Sequence, residues 1–425
     1  MFPLHESTQR WICRTVFALL CMLPTTSLLA YVLWLKTPLH HSEQAACLSV
    51  HTGTRISLEA LQYPKPGVTR LSGVVLTHPQ SGEELARIRE LELHSNAETL
   101  TIFAAQPEFT ADQFKELWRQ ITLQLLEPSF PARKSMHFVA TDATAINSGG
   151  RAQTFSTLEA DYLAHGQQRS LRVSYQLAGE NANAPAVLNM VRGEQGHSKV
   201  HWNTGGADLP IAPWAKQLPW LDNLGSDARF RGSVSIERDG TISGEVTGTL
   251  ADVDLNRLVS KSFPHKLSGR AEITIHNAHF EENRLRELHA SVHAGPGVLG
   301  KSLLDNAARE WRLQTDKANA PSKSLLRYEN LACDIRLADG RLHLMGTCTG
   351  VPENTLIVVS DDVSWTIPAD VNHDPASLIR VLSGAASANV PATESTRHLI
   401  RWLPLAREAK TGDDNAPPTA HLRIR

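Results

Sequence analysis

The sequence predicts a mainly β protein in which one N-terminal transmembrane helix precedes a long antiparallel sheet with a few short helices. An apolar run without a charged side chain occupies residues 15–35. Beyond it, apolar and polar residues alternate in many short segments, a pattern typical of half-buried strands. Turn-forming pairs such as Asp-Gly separate several of these segments, as expected for hairpins. Together these observations favour a β body attached to a membrane.

The run 15–35 is long enough for a membrane helix, since about 20 helical residues cross a hydrocarbon layer of about 30 Å. Arg10 and Arg14 precede the run and Lys36 follows it. This small excess of positive charge favours a cytoplasmic N-terminus. A signal peptide cleaved near Ala30 is the alternative. The anchor is the preferred interpretation, because the apolar run exceeds the roughly 7–15 residues usual in a signal peptide.

The clearest predicted hairpin joins residues 230–237 to residues 242–250 through Asp239-Gly240. Its apolar residues fall at every second position, so one face of the hairpin is expected to be apolar and the other polar. Similar alternation predicts further strands at 87–93, 99–103, 136–141, 171–177, 199–202, 269–275, 288–294, 331–337 and 342–345. A long antiparallel sheet follows from these repeated short strands.

Helices are expected to be few. Apolar residues at helical spacing predict one at 111–127, and shorter ones are expected near 255–259, 303–308 and 375–382. The predicted organisation is a cytoplasmic N-terminus (1–14), a transmembrane anchor (15–35), an N-terminal β region containing the first helix (36–208), a linker rich in Pro and Trp (209–225), a C-terminal β region (226–384) and a mostly disordered tail (385–425).

Composition and motifs give no sign of catalysis. The formal net charge is −2 and 20% of the residues are charged, so no basic excess points to a nucleic-acid partner. The chain has no GxSxG or HExxH motif. We therefore expect a protein that is not an enzyme and has no cofactor.

Histidine and cysteine offer weak signals. His289 and His293 lie four residues apart, but a metal site needs a third converging ligand, so we expect structural or surface roles and no metal. Cys333 and Cys348 flank the predicted Asp339-Gly340 turn, where a two-residue loop would place them diagonally across the hairpin. A disulfide between these cysteines and a pair of free buried thiols stand as alternatives.

The order of several segments resembles the AsmA-like family of AsmA/TamB-type envelope proteins. In that family a membrane span and a helical spacer lead to a pair of strands, and a later region has a hairpin, a short helix, a strand and another short helix. The matching segments here are 48–59, 66–82, 231–255, 267–273 and 295–304. They cover about half of the chain, and none carries a chemically specific motif.

The resemblance implies a curved sheet, a β-taco or β-groove, anchored in the inner membrane and facing the periplasm. It also implies a role in outer-membrane or envelope biogenesis with lipid binding or transport, so membrane lipids and other envelope proteins are the expected partners. An apolar strand face would hold the lipid. The expected residues are Phe230, Val234, Ile236, Ile242, Val246, Leu250, Ile273, Ile275 and Val292.

A structural module that scaffolds other envelope proteins through exposed strand edges is the alternative function. The chain of 425 residues is short for a groove that bridges the whole envelope. This length favours an accessory role in assembly over direct bridging between two membranes.

Overall fold

The computed structural model describes residues 6–127, 134–146, 152–179, 184–193, 196–212, 219–315, 323–359, 363–369, 371–384, 389–390, 397, 400, 403 and 423–424. With 53% of residues in strands and 25% in helices, the mainly β prediction is confirmed. The strands form a mixed sheet. The chain divides into two compact units, Met1–Asp161 and Tyr162–Arg425.

One helix is long and apolar enough to cross a membrane, running from Arg10 to Leu35, and its most apolar window contains no buried residue. It consists of α1 (Glu6–Phe17) and α2 (Leu23–Leu35), joined by a π-helical turn at Ala18–Met22. Pro24 accounts for this turn, because proline lacks an N–H group and its ring crowds the carbonyl four residues earlier. The predicted apolar span is therefore helical.

A third helix, α3 (Pro38–Thr52), follows directly. The Thr37 hydroxyl accepts a hydrogen bond from the His40 N–H at 3.4 Å, and Pro38 occupies the first turn, where its missing N–H costs nothing. Gly53 ends the helix with a φ of +67°, which glycine adopts without strain. The N-terminal β region predicted from residue 36 therefore begins with a helix.

The strands of the first unit are β1 (Arg55–Ser57), β2 (Ala60–Lys65), β3 (Val68–Thr77), β4 (Glu84–Ser95), β5 (Thr99–Thr110), β6 (Ser135–Thr141), β7 (Ala143–Ile146) and β8 (Ala152–His165), the last of which continues into the second unit. Strand β3 pairs antiparallel with β1, β2 and β4, and β4 pairs antiparallel with β5. Strand β5 then runs parallel to β6 and β7.

Helix α4 (Ala111–Leu126) explains the parallel pairing and confirms the predicted helix. It follows β5 and precedes β6, and a crossover connection of this kind returns the chain so that the next strand runs parallel. The prediction of an antiparallel sheet throughout is therefore wrong at this point. Leu117 of α4 packs into the core of the first unit, which also contains the fully buried Leu71, Val74 and Leu85.

The strands of the second unit are β9 (Gln168–Leu177), β10 (Ala186–Arg192), β11 (Ser198–Asn203), β12 (Leu209–Pro210), β13 (Arg229–Asp239), β14 (Thr241–Asp254), β15 (Arg270–Glu281), β16 (Arg284–Ala294), β17 (Gly297–Gly300), β18 (Gln314–Thr315), β19 (Leu325–Ala338), β20 (Arg341–Gly346), β21 (Thr355–Val359), β22 (Val363–Thr366) and β23 (Asn372–His373). Antiparallel pairing runs in the order β9, β10, β11, β13, β14, β15, β16, β19 and β20. A parallel pair, β24 (Asn389–Val390) with β25 (Arg423–Ile424), lies apart from this sheet.

The helical segments of the second unit are a 3-10 turn at Pro219–Leu224, a π-helical turn at Asn256–Ser260, α5 (Lys301–Trp311) and α6 (Ala376–Ser383). Each of the three shorter predicted helices coincides with one of these elements. Helices α5 and α6 pack into the core through buried residues such as Leu304 and Ile379. Arg380 of α6 donates to Glu310 Oε2 of α5 at 2.7 Å, which joins the two helices.

Two predicted segments are only partly described. In the predicted linker 209–225, Leu209–Pro210 forms strand β12 and pairs with Arg229 and Phe230, whereas residues 213–218 lie outside the described residues. Of the predicted tail 385–425, only residues 389–390, 397, 400, 403 and 423–424 are described. The prediction of disorder there falls mostly outside the described residues.

Candidate functional site

The nine residues predicted to bind lipid lie on one face of four neighbouring strands, β13 to β16. Phe230 stands opposite Leu250, and Leu250 stands opposite Ile273. Ile273 in turn stands opposite Val292. Side chains directly opposite each other in an antiparallel sheet share a face, so this row runs across all four strands. The other predicted residues, Val234, Ile236, Ile242, Val246 and Ile275, are on the same face.

Most of this apolar face is covered by the protein itself. Phe230 is only 4% exposed and belongs to the core of the second unit. Six more residues are partly buried and pack against that core: Val234, Val246, Leu250, Ile273, Ile275 and Val292. Ile236 and Ile242 are different, with exposed fractions of 40% and 44%. The face is therefore open near the turn between β13 and β14, closed at Phe230 and partly covered between these two ends.

Two features define this open end. Ile236 stands opposite Gly244 on β14, so no side chain from that strand shields it. Arg238 stands opposite Ile242, which places a guanidinium beside the exposed apolar side chains on the same face. Arg238 is exposed, and within the described part of the chain it forms no ion pair. We call Ile236, Arg238 and Ile242 the open patch.

The aromatic ring of Phe230 covers a glycine pair at the closed end. Gly232 stands opposite Gly248, and a Cβ atom at either position would lie 3.0 Å from the Phe230 ring. The indole ring of Trp202 packs beside Phe230, with ring centroids 5.5 Å apart. Trp202 also donates to the Tyr175 hydroxyl at 3.1 Å, and burial raises the pKa of Tyr175 to about 12. The glycines thus leave room for the Phe230 ring, beside which Trp202 packs.

Two surface depressions among the described residues lie away from the open patch. One is lined by Arg336, Ala338, Asp339, Arg341, His343 and Asn372. The other is lined by polar residues and glycines, namely Asn203, Thr204, Gly206, Arg231, Gly232, Ser233, Thr247 and Gly248. Both are open to solvent and neither has an apolar lining that would enclose an acyl chain. A lipid would therefore lie against a surface instead of inside a cavity.

The two candidate disulfide partners are free, buried thiols in the structure. Cys333 pairs with Gly346, so Cys348 is two residues further along the hairpin, the diagonal position expected from the sequence. Diagonal neighbours lie about 7–8 Å apart, which is beyond the reach of a disulfide without backbone movement. Cys348 Sγ instead donates to the Leu356 carbonyl at 3.4 Å. Burial raises the pKa of both thiols, to about 12 for Cys333.

The histidine pair suggested by the sequence does not form a cluster of its own. His289 forms a hydrogen bond with Asp334 and its ring contacts that of His276, whereas His293 is exposed. The sequence pattern contains a signal for His276, because a turn at Glu282-Asn283 brings residue 276 close to residue 289 across the hairpin. We missed it because spacing along one strand was considered without spacing across the turn.

A separate histidine, His265, is a buried core residue. It is 6% exposed, its Nδ1 lies 2.9 Å from Ser302 Oγ, and its Nε2 lies 3.3 Å from Asn306 Nδ2. Burial lowers the pKa of His265, since a protonated, charged imidazole would be held away from water in the protein interior. Although a serine and a histidine are in contact here, both are tied into helix packing, so we assign the pair a structural role.

Comparison with protein families, with curated proteins and with solved structures finds no match to this chain. The protein is therefore classified here by its fold and its candidate site. It is a mainly β protein with one N-terminal helix long and apolar enough to cross a membrane. Its largest antiparallel array has an apolar face that is open at one end.

Proposed function

We propose that this protein is an inner-membrane-anchored periplasmic protein of the AsmA-like type, and that it binds a phospholipid at the open patch. Envelope or outer-membrane biogenesis is the proposed process, in line with the resemblance. The observation that carries the proposal is the exposure of Ile236 and Ile242 at one end of an apolar face whose other residues are buried or partly buried. Such residues lose contact with water only if something covers them.

The chemistry of the open patch supports a phospholipid as the occupant. Each methylene group that an acyl chain moves from water onto an apolar surface contributes about 0.8 kcal/mol. Arg238, which is exposed beside Ile242, supplies a cation at the edge of this surface. Arginine is well suited to phosphate because its planar donors match phosphate oxygens. An apolar surface bordered by a guanidinium complements a molecule with an acyl chain and a phosphate.

The direct test exchanges both exposed isoleucines. In the Ile236→Glu, Ile242→Glu double variant, the two carboxylates should repel phosphate and disfavour acyl chains, so bound phospholipid should fall to the background. The full-length chain would be purified in detergent, and the phospholipid retained per chain would be measured by native mass spectrometry. Both positions are exposed, so the charges are expected to leave the fold intact.

A matched control separates this effect from lipid held around the membrane helix. Leu325→Glu also places a carboxylate on an exposed apolar residue of the second unit, at a site outside the open patch. It should retain the wild-type amount of phospholipid. Equal retention by wild type, double variant and control would contradict the proposal, as would a wild-type chain that carries no lipid.

The cysteines allow the proposed orientation to be tested. Cys13 and Cys47 are exposed, and they lie before and after the uncharged apolar run 15–35, respectively. With the N-terminus in the cytoplasm, a membrane-impermeant maleimide applied to spheroplasts should label Cys47 at once and Cys13 only after detergent is added. A Cys47→Ser variant controls for other thiols. The opposite labelling order would overturn the orientation, and a mature chain without Cys13 would show cleavage.

Scaffolding is the second candidate function and makes a different prediction. A scaffold that pairs through strand edges would bind discrete envelope proteins and would not need the open patch. The glutamate double variant would then behave like the wild type in a lipid assay. No feature among the described residues favours scaffolding over lipid binding.

A further inference from the structure

Three side chains that commonly bind metals converge on the polar face of the sheet, opposite the apolar face. They are His276 on β15, His289 on β16 and Asp334 on β19. One ligand atom from each lies within 4.8 Å of the other two. His289 Nε2 is 3.0 Å from Asp334 Oδ2, and the rings of His276 and His289 are in contact, with centroids 4.4 Å apart and planes tilted by 37°. Two imidazoles and a carboxylate are a common ligand set for zinc.

A β-bulge brings His276 into this cluster. Strand β15 pairs Ile275 with Ala290 and Asn277 with His289, so His276 is the extra residue between two registers. The pairing of β15 with β14 also changes register here, since Val246 pairs with Ala278 but Gly248 pairs with Ile275. The bulge therefore interrupts the hydrogen bonding of β15 to both of its neighbours, β14 and β16. Bulges redirect a side chain locally, and they are common next to functional sites.

The surroundings hold the carboxylate in a fixed position. Arg336 Nε lies 3.2 Å from Asp334 Oδ1, which leaves Oδ2 facing His289. The Asp334 side chain is 13% exposed, whereas that of His289 is 38% exposed. Ser291 Oγ lies 2.8 Å from His276 Nε2 and 3.5 Å from Asp334 Oδ2. The ligands are therefore oriented by neighbouring polar groups, as is usual around metal sites.

From this geometry we infer a binding site for a divalent cation of the zinc class, with His276, His289 and Asp334 as the protein ligands. Zinc sites of three protein ligands leave a fourth position for water. The exposed edge of His276 gives solvent access to that position. Ser291 and Arg336 act as positioning residues. Because the three ligands belong to three adjacent strands, the cation would tie β15, β16 and β19 together.

Zinc titration of the full-length chain tests this inference. The chain would be purified in detergent without a polyhistidine tag and freed of metal, and binding of Zn²⁺ would be followed by isothermal titration calorimetry. The wild type should bind one Zn²⁺ per chain. The variants His276→Asn, His289→Asn and Asp334→Asn should each weaken that binding by about tenfold or more, since each removes a ligand.

A control is needed because the chain has 19 histidines, any of which can bind metal weakly. His293→Asn removes an exposed histidine from the same face of β16 and should leave the affinity unchanged. The absorption spectrum of bound Co²⁺ provides a second readout, which should change in the three ligand variants and not in the control. Wild-type chains without saturable binding would overturn the inference. So would ligand variants that match the wild type in both affinity and spectrum.

Discussion

Replacing Arg380 with methionine is expected to lower the free energy of unfolding by about 3 kcal/mol. Arg380 of α6 donates to Glu310 Oε2 of α5 at 2.7 Å, and the two side chains are only 16% and 19% exposed. A second carboxylate, Asp374 Oδ2, lies 3.5 Å from Arg380 Nη1. Without the guanidinium, the carboxylate of Glu310 would stay largely buried and would lose its partner Arg380. Removing one partner of a buried ion pair is strongly destabilising, because the remaining charge is left uncompensated.

Chemical denaturation, monitored by tryptophan fluorescence, would measure the decrease in the free energy of unfolding. The control is Arg286→Met, which breaks a pair with Glu281 and Glu282 on the surface of the same unit. Exposed pairs contribute about 0–1 kcal/mol, so this control should unfold close to the wild type. An Arg380→Met variant as stable as the control would show that the pair between α5 and α6 does not stabilise the fold.

The Leu71→Ala substitution is expected to cost about 3 kcal/mol, with the damage confined to the first unit. Leu71 on β3 has no exposed surface and packs in a core shared with Val74 and Leu85. Truncation removes apolar contacts and leaves a cavity that the neighbouring strands can fill only in part. Hydrogen exchange should therefore quicken in strands β3 to β5, whereas the strands of the second unit should keep their protection.

Leu123→Ala is the matched control for Leu71→Ala. Leu123 lies on α4 of the same unit and is 50% exposed, so its truncation removes little buried surface. Alanine also favours the helix at least as well as leucine does. If Leu71→Ala quickened exchange equally in both units, the two cores would not be independent. If it behaved like Leu123→Ala, the first core would not depend on Leu71.

The hairpins were the part of the fold most accessible from sequence, because alternation specifies which residues face each other. Around Asp339-Gly340 the expected two-residue turn is confirmed by the pairing of Ala338 with Arg341. At Gly240 the pairing is centred on the glycine, with Arg238 opposite Ile242. A two-residue Asp239-Gly240 turn would have placed apolar residues opposite polar ones. The apolar pattern therefore decided the register there.

Features that depend on distant contacts were not accessible in this way. The spacing of apolar residues predicted α4, but only the sheet shows that α4 is a crossover that makes β6 parallel to β5. The alternation also predicted a single apolar face, yet it carries no information about what packs on that face. Core residues of the second unit pack against most of it and leave Ile236 and Ile242 exposed.

The metal-ligating cluster shows the same limit on a smaller scale. His276 and His289 are neighbours across a hairpin, so a correct turn prediction brings them together. Asp334 comes from β19, which pairs with β16 after two intervening strands, β17 and β18, and the helix α5. The register between strands so far apart in sequence is set by packing, and no local pattern specifies it.

Photocross-linking in living cells tests the central claim of lipid binding most directly. A photoreactive amino acid at position 242, in the open patch, would be activated by light, and the adducts would be identified by mass spectrometry. Phospholipid adducts at position 242, and none at the exposed control position 325, are the predicted result. Discrete protein adducts at position 242 without any lipid adduct would contradict lipid binding and favour scaffolding.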